Sequence, residues 1–173
     1  MKLTLNLFVF LLLIFSISCK QKKQLPNNED SKMWSQFLNI LENNDTLAFK
    51  KASYKTIRCY DCLENTPFES EQMNILREQD SLWYDKIYDD LINIPIDSFV
   101  ANDYNIQFKP EFIKVLQKNE TIVMKDEGNN SIFAHILVTT TPPTLDFEGG
   151  QHSFTFFKDK DGKWKLNEIS TIP

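Results

Sequence analysis

The chain has 173 residues, with 24 Asp and Glu against 19 Lys and Arg, for a formal charge of −5. That balance argues against nucleic acid, which calls for a clustered basic face. No Gly-rich phosphate loop, Gly-x-Ser-x-Gly turn or His-Glu-x-x-His pair occurs, so nucleotide, esterase and zinc-peptidase chemistry has no motif to rest on.

Lys2 is followed by an almost unbroken apolar run from Leu3 to Ile17, then by Ser18-Cys19 and the basic stretch Lys20-Gln21-Lys22-Lys23. A positive start, a short apolar centre and small residues before a cut make a secretory signal peptide. The run includes Thr4 and Asn6 and falls short of the roughly 20 apolar residues of a spanning helix. With Ser16-Ile17-Ser18 before Cys19, it resembles the signal of bacterial lipoproteins, in the form used by Bacteroidetes-like bacteria. The resemblance implies cleavage before Cys19, a diacylglycerol on its thiol and a fatty acyl group, such as palmitate, on its amine. It also implies a place in the cell envelope. Lysines follow the Cys in place of the acidic residues usual in surface-exported lipoproteins of such bacteria, so the resemblance implies a periplasm-facing leaflet, with the outer membrane as the expected membrane. Simple secretion with a free Cys19, or an uncleaved anchor, are the alternatives. On this reading residues 1–18 are signal, 19–31 are lipidated Cys and flexible tether, and 32–173 are one domain. Cleavage leaves 18 basic and 24 acidic residues, and 19 aromatic residues for a core.

Along that domain, Trp34, Phe37, Leu38 and Leu41 follow the spacing of an amphipathic helix. Asn43-Asn44-Asp45 breaks it, and Asp45 is placed to cap a short helix with Leu47, Ala48 and Phe49. Thr56 to Asp61 reads as irregular or briefly extended. Pro67 opens a long helical pattern through Met73, Leu76, Trp83, Tyr84, Ile87 and Leu91, divided at Asp80-Ser81 and ended by Pro95. A loosely helical stretch holds Phe99, and Pro110 starts a further helix with Phe112, Ile113 and Leu116. Four strands follow: Thr121 to Lys125, Ser131 to Thr141, Gln151 to Lys158 and Lys163 to Ile172, the last two joined at Asp161-Gly162. Helices and then a four-stranded antiparallel meander make an α+β fold.

The ending Phe154-x-Phe156-Phe157-Lys158-x-x-x-Gly162-Lys163-Trp164-Lys165-Leu166 resembles the last hairpin of the nuclear-transport-factor-two and ketosteroid-isomerase superfamily. That resemblance implies a cone-shaped (cystatin-like) domain whose inward strand residues line a pocket. The fold alone does not give a function.

Three residue sets could carry chemistry. Cys59-Tyr60-Asp61-Cys62 reads first as a disulfide, since an oxidising compartment favours pairing. A thiol redox pair would require a helix N-terminus at the first Cys, which Leu63-Glu64-Asn65-Thr66-Pro67 does not supply. A zinc site with His135 and His152 is the third reading, although neither His has a local partner at metal-binding spacing. His135, between Phe133 and Leu137, and His152, beside Phe154, are ligand-binding candidates, and a core histidine is the plainer reading. Glu78, Asp80, Asp85, Asp89 and Asp90 read as a solvated helix face. No catalytic set, cofactor or metal is called for. The expectation is a lipid-anchored periplasmic protein, immunity-like or an envelope accessory, whose domain binds a ligand or an envelope protein without catalysis. Its membrane contact runs through the acyl chains on Cys19. A small cone-fold enzyme using acid–base chemistry is the alternative, and a thiol redox protein the third.

Overall fold

The computed structural model describes residues 29–128 and 131–172; the signal segment, Cys19 and most of the expected tether lie outside them. Helix α1 spans Glu29–Glu42 and buries Met33, Trp34, Phe37 and Leu41 on one face. It starts three residues inside the stretch expected to be tether. Glu29 and Asp30 sit in its first turn, where carboxylates complement the helix dipole. Asn44 ends it with φ 50°, a left-handed conformation that Asn tolerates. The Asp45 side chain then accepts from Ala48 N at the start of α2, Thr46–Lys51.

Strand β1, Ser53–Cys59, leads into a 3-10 turn at Asp61–Glu64. Helix α3, Pro67–Gln79, begins with Pro in its first turn and a reciprocal capping pair between Thr66 and Glu69. Asp80 stops it: its carboxylate accepts from Leu82 N and pairs with Lys86. The chain resumes as a short α4, Trp83–Asp85, continues as a π-turn over Lys86–Leu91, and reaches the three-residue strand β2, Asn93–Pro95. Helices α5, Ile96–Asn102, α6, Tyr104–Gln107, and α7, Pro110–Lys118, follow. Strands β3, Thr121–Gly128, β4, Ser131–Thr141, β5, Gly150–Lys158, and β6, Trp164–Ile172, complete the fold.

The molecule is α+β with its helices first, but the sheet has six strands among the described residues, in the order β2-β1-β6-β5-β4-β3. It is mixed, because β1 runs parallel to β6, and it does not close into a barrel. The expected four-stranded sheet is therefore corrected: β1 and β2, contributed by the helical half, extend it. Pro95 is tolerated in β2 because that strand lies at the sheet edge. The parallel pairing also places the β5–β6 turn and the Asp61–Glu64 turn at opposite ends of β6. At the first, Gly162 takes φ 75° and Asp159 Oδ1 accepts from the amides of Asp161 and Lys163. At the second, Thr171 donates to Asp61.

Alternation divides the sheet into two faces. Ala134, Ile136, Val138, Phe154, Phe156, Leu166 and Ile169 are buried beneath the helices. Trp34 of α1 meets Phe154 at 5.2 Å, and Phe37 meets Phe156 at 5.2 Å. Phe49 joins α2 to α5 by stacking on Phe99 at 5.7 Å, and Phe108 packs between α6 and the sheet. The other face carries Ile122 and Met124, both exposed, beside the partly buried Phe133, Leu137 and Phe157. Glu29 of α1 pairs with Lys158 at 2.8 Å, which fastens the first turn of the domain to the end of β5.

Candidate functional site

The covered side of the sheet is where a cone-shaped domain would hold a pocket. Here its depth is occupied by side chains. Trp34, Phe37, Phe49, Tyr104, Phe108, Phe154 and Phe156 are each at most 5% exposed and touch one another ring to ring. Such pairs contribute about 0.5–1.5 kcal/mol each beyond the area they bury. The Tyr104 hydroxyl lies among them, buried and with no hydrogen-bond partner among the described residues. Burial pushes its phenol above the ordinary range.

The two histidines stand on opposite faces. His152 pairs with Val138 across β4 and so shares the covered face with Phe154 and Phe156. Its ring packs on Phe112 at 4.6 Å, and Nδ1 lies 2.9 Å from Thr140 Oγ1. His135 pairs with Thr155, places Nδ1 2.9 Å from that hydroxyl and sits edge-on to Phe133 on the other face. Each has a hydroxyl beside the ring; among the described residues neither has a carboxylate at hydrogen-bond distance, the partner that would orient an acid–base pair. The sequence could not separate them, because Ser131 to Thr141 is apolar at both parities.

Burial pulls the His152 imidazole below its ordinary value, with Asp61 acting weakly the other way. The neutral ring is thus favoured by the fold. Its contribution to stability is present above the unfolded value of 6.5 and is lost as pH falls through the lower folded value. Thermal melts between neutral and mildly acidic pH should show stability falling with acid, and His152→Gln should flatten that slope. An unchanged slope in the variant would place the acid sensitivity elsewhere.

Cys59 and Cys62 lie within disulfide distance, with Cα atoms 5.4 Å apart, at the end of β1 and in the turn after it. They are 0% and 3% exposed. A redox thiol must meet its substrate, so burial on this scale argues against exchange chemistry. No group of three or more His, Cys, Asp and Glu side chains among the described residues could hold a metal ion, and the zinc reading, which needed both histidines beside the cysteines, is set aside by their opposite faces.

A polar network beside this turn had no local signal in the sequence. Asn65 donates to Asp103 Oδ1 at 2.7 Å and accepts from Gln107 at 2.9 Å, joining the 3-10 turn to α6. Asp103 is 6% exposed; burial raises its carboxyl, and the Asn65 amide opposes that shift. Arg77 reaches from α3 to Glu64 and to the Tyr60 hydroxyl, the latter at 2.7 Å. Elsewhere an open groove of about 360 Å³ runs between α1 and β6, past Met33, Ile40, Lys163 and Trp164.

Comparison with protein-family models, with curated proteins and with solved structures found no match. Among the described residues, no helix is long and apolar enough to cross a membrane.

Proposed function

We propose that the chain is a lipoprotein of the bacterial envelope, acylated at Cys19 and facing the periplasm, whose cone-like α+β domain binds another envelope protein and carries out no reaction of its own. The observation that carries the binding reading is the aromatic filling beneath the sheet: the depth where a cone-fold enzyme would take its substrate is spent on packing. The address rests on the Lys2–Cys19 pattern. A disulfide joining Cys59 to Cys62 fits an oxidising compartment, and it would staple the exit of β1 to the turn before α3. Partner binding requires surface rather than depth, and this domain has an open sheet face and exposed helices to offer.

The test is proximity labelling by the lipidated protein in its own envelope, with a lipoprotein carrying an unrelated domain on the same signal as the control. The same few envelope proteins should recur and be absent from the control. Labelling indistinguishable from the control would remove the reading. So would turnover of a small molecule that His152→Gln abolishes while the fold is kept.

A further inference from the structure

Charge is unevenly spread along this chain. Glu64 to Leu91 holds eight carboxylates and two basic residues, a balance of −6 within a chain whose total is −5. Both basic residues are engaged internally, Arg77 by Glu64 and Lys86 by Asp80. Among the described residues no basic side chain pairs with Asp85, Asp89 or Asp90, all of them exposed.

Over the same segment the fold assembles a row of aromatic rings. Trp83 meets Tyr84 at 5.6 Å, Tyr84 meets Tyr88 at 4.5 Å, and Tyr88 stacks on Tyr60 at 5.6 Å with an interplanar angle of 16°. Tyr84 is 58% exposed, and Leu82, in the turn just before the helix, is 59% exposed. This row is separate from the buried ring cluster under the sheet. Asp85 and Asp89 each follow a row tyrosine by one position, so their carboxylates leave the helix roughly a quarter turn round from the rings and border the row rather than share its face. Four residues apart on a helix, they repel one another, a cost that a bound cation relieves. The π-turn over Lys86–Leu91 that carries them is a geometry found often at functional sites.

Rings beside unpaired carboxylates match one chemistry in particular. A guanidinium lies flat on a tyrosine face and still presents N–H donors at its edge to a carboxylate, whereas an ammonium offers a point charge. An anionic lipid surface or a nucleic acid would be repelled. We propose that Tyr60, Trp83, Tyr84 and Tyr88, with Asp85, Asp89 and Asp90, form a docking surface for an arginine-rich segment of a partner protein. This deepens the partner-binding reading above and rests on it.

The test uses the full lipidated chain in neutral detergent and the fluorescence anisotropy of a labelled nonaarginine peptide, with nonalysine and a neutral Gly-Ser peptide beside it. Nonaarginine should bind more tightly than nonalysine, and the neutral peptide not at all. Tyr84→Ala should weaken nonaarginine binding by about threefold to fivefold, in line with a ring–cation contact at an exposed site, and Tyr84→Phe should retain it. The pair Asp85→Asn with Asp89→Asn should weaken binding, while Glu111→Gln with Glu120→Gln, the same charge change on α7 and after it, should leave it intact. Equal losses in the two charge pairs would reduce the effect to diffuse attraction and overturn the proposal, as would full binding by Tyr84→Ala. Should proximity labelling return partners while these variants bind like the parent, the surface is wrong and the broader reading stands. Peptide binding at this surface with no partner labelled in the envelope would have the opposite meaning.

Discussion

Phe37→Ala should cost about 3–5 kcal/mol of folding stability, the range for a large aromatic side chain lost from a packed interior. Phe37 is 2% exposed and is the hub of the ring cluster. It meets Trp34, Phe49, Phe108, Phe154 and Phe156, and so joins α1 to α2, to the residue that caps α6 and to β5. These neighbours are held by the backbone of different elements and cannot all move inward, so a void remains. A domain of this size has about 5–15 kcal/mol in total, and the melting temperature should fall by roughly 10–15 °C. Urea denaturation of both proteins measures the loss. Phe68→Ala is the comparison, since Phe68 is 72% exposed on α3 and should change almost nothing. Equal, small effects at both positions would mean that the cluster does not hold the layers together.

The second large effect concerns Cys19. Intact-mass measurement of the protein from its own membranes should give a chain beginning at residue 19 and carrying acyl mass. Cys19→Ala should take up no labelled palmitate, because it lacks the thiol on which the proposed lipid anchor is built. The change is close to all-or-none. One acyl chain gives only reversible membrane binding, while two or three hold a protein firmly. A wild-type chain that still starts at Met1 and dissolves in the cytosol would end both the address and the anchoring.

Much of the fold could be read from short-range pattern. The α1 stripe, the Pro67 and Pro110 starts, the break at Asp80-Ser81 and the Asp161-Gly162 turn are each set by residues within a few positions of one another. Strand β1 was harder to read because its partner is distant in sequence: Ser53 pairs with Leu166 and Cys59 with Ile169. Its exposed Lys55 and Thr56 hide the alternation around Ile57. Strand β2 has only three residues, one of them Pro, and leaves almost no strand signature. The same limit applies to the sites. Trp83, Tyr84 and Ile87 read as one apolar stripe, yet Ile87 is buried while Tyr84 points outward. Tyr60, which extends the row, comes from a different element altogether. The shared Phe-rich surroundings of His135 and His152 also gave no hint that the sheet lies between them.

The parallel run of β1 beside β6 has a consequence for how the protein would stand on a membrane. The chain enters its domain where Glu29 grips Lys158, close to a hairpin in which Lys158, Lys160, Lys163 and Lys165 outnumber Asp159 and Asp161. The tyrosine row and its carboxylates begin at the far tip of the same strands, past Cys59. Were the chain tethered through residue 19 as proposed, it would stand as an upright electric dipole, its lysine foot drawn to anionic headgroups and its acidic crown held out into the aqueous space.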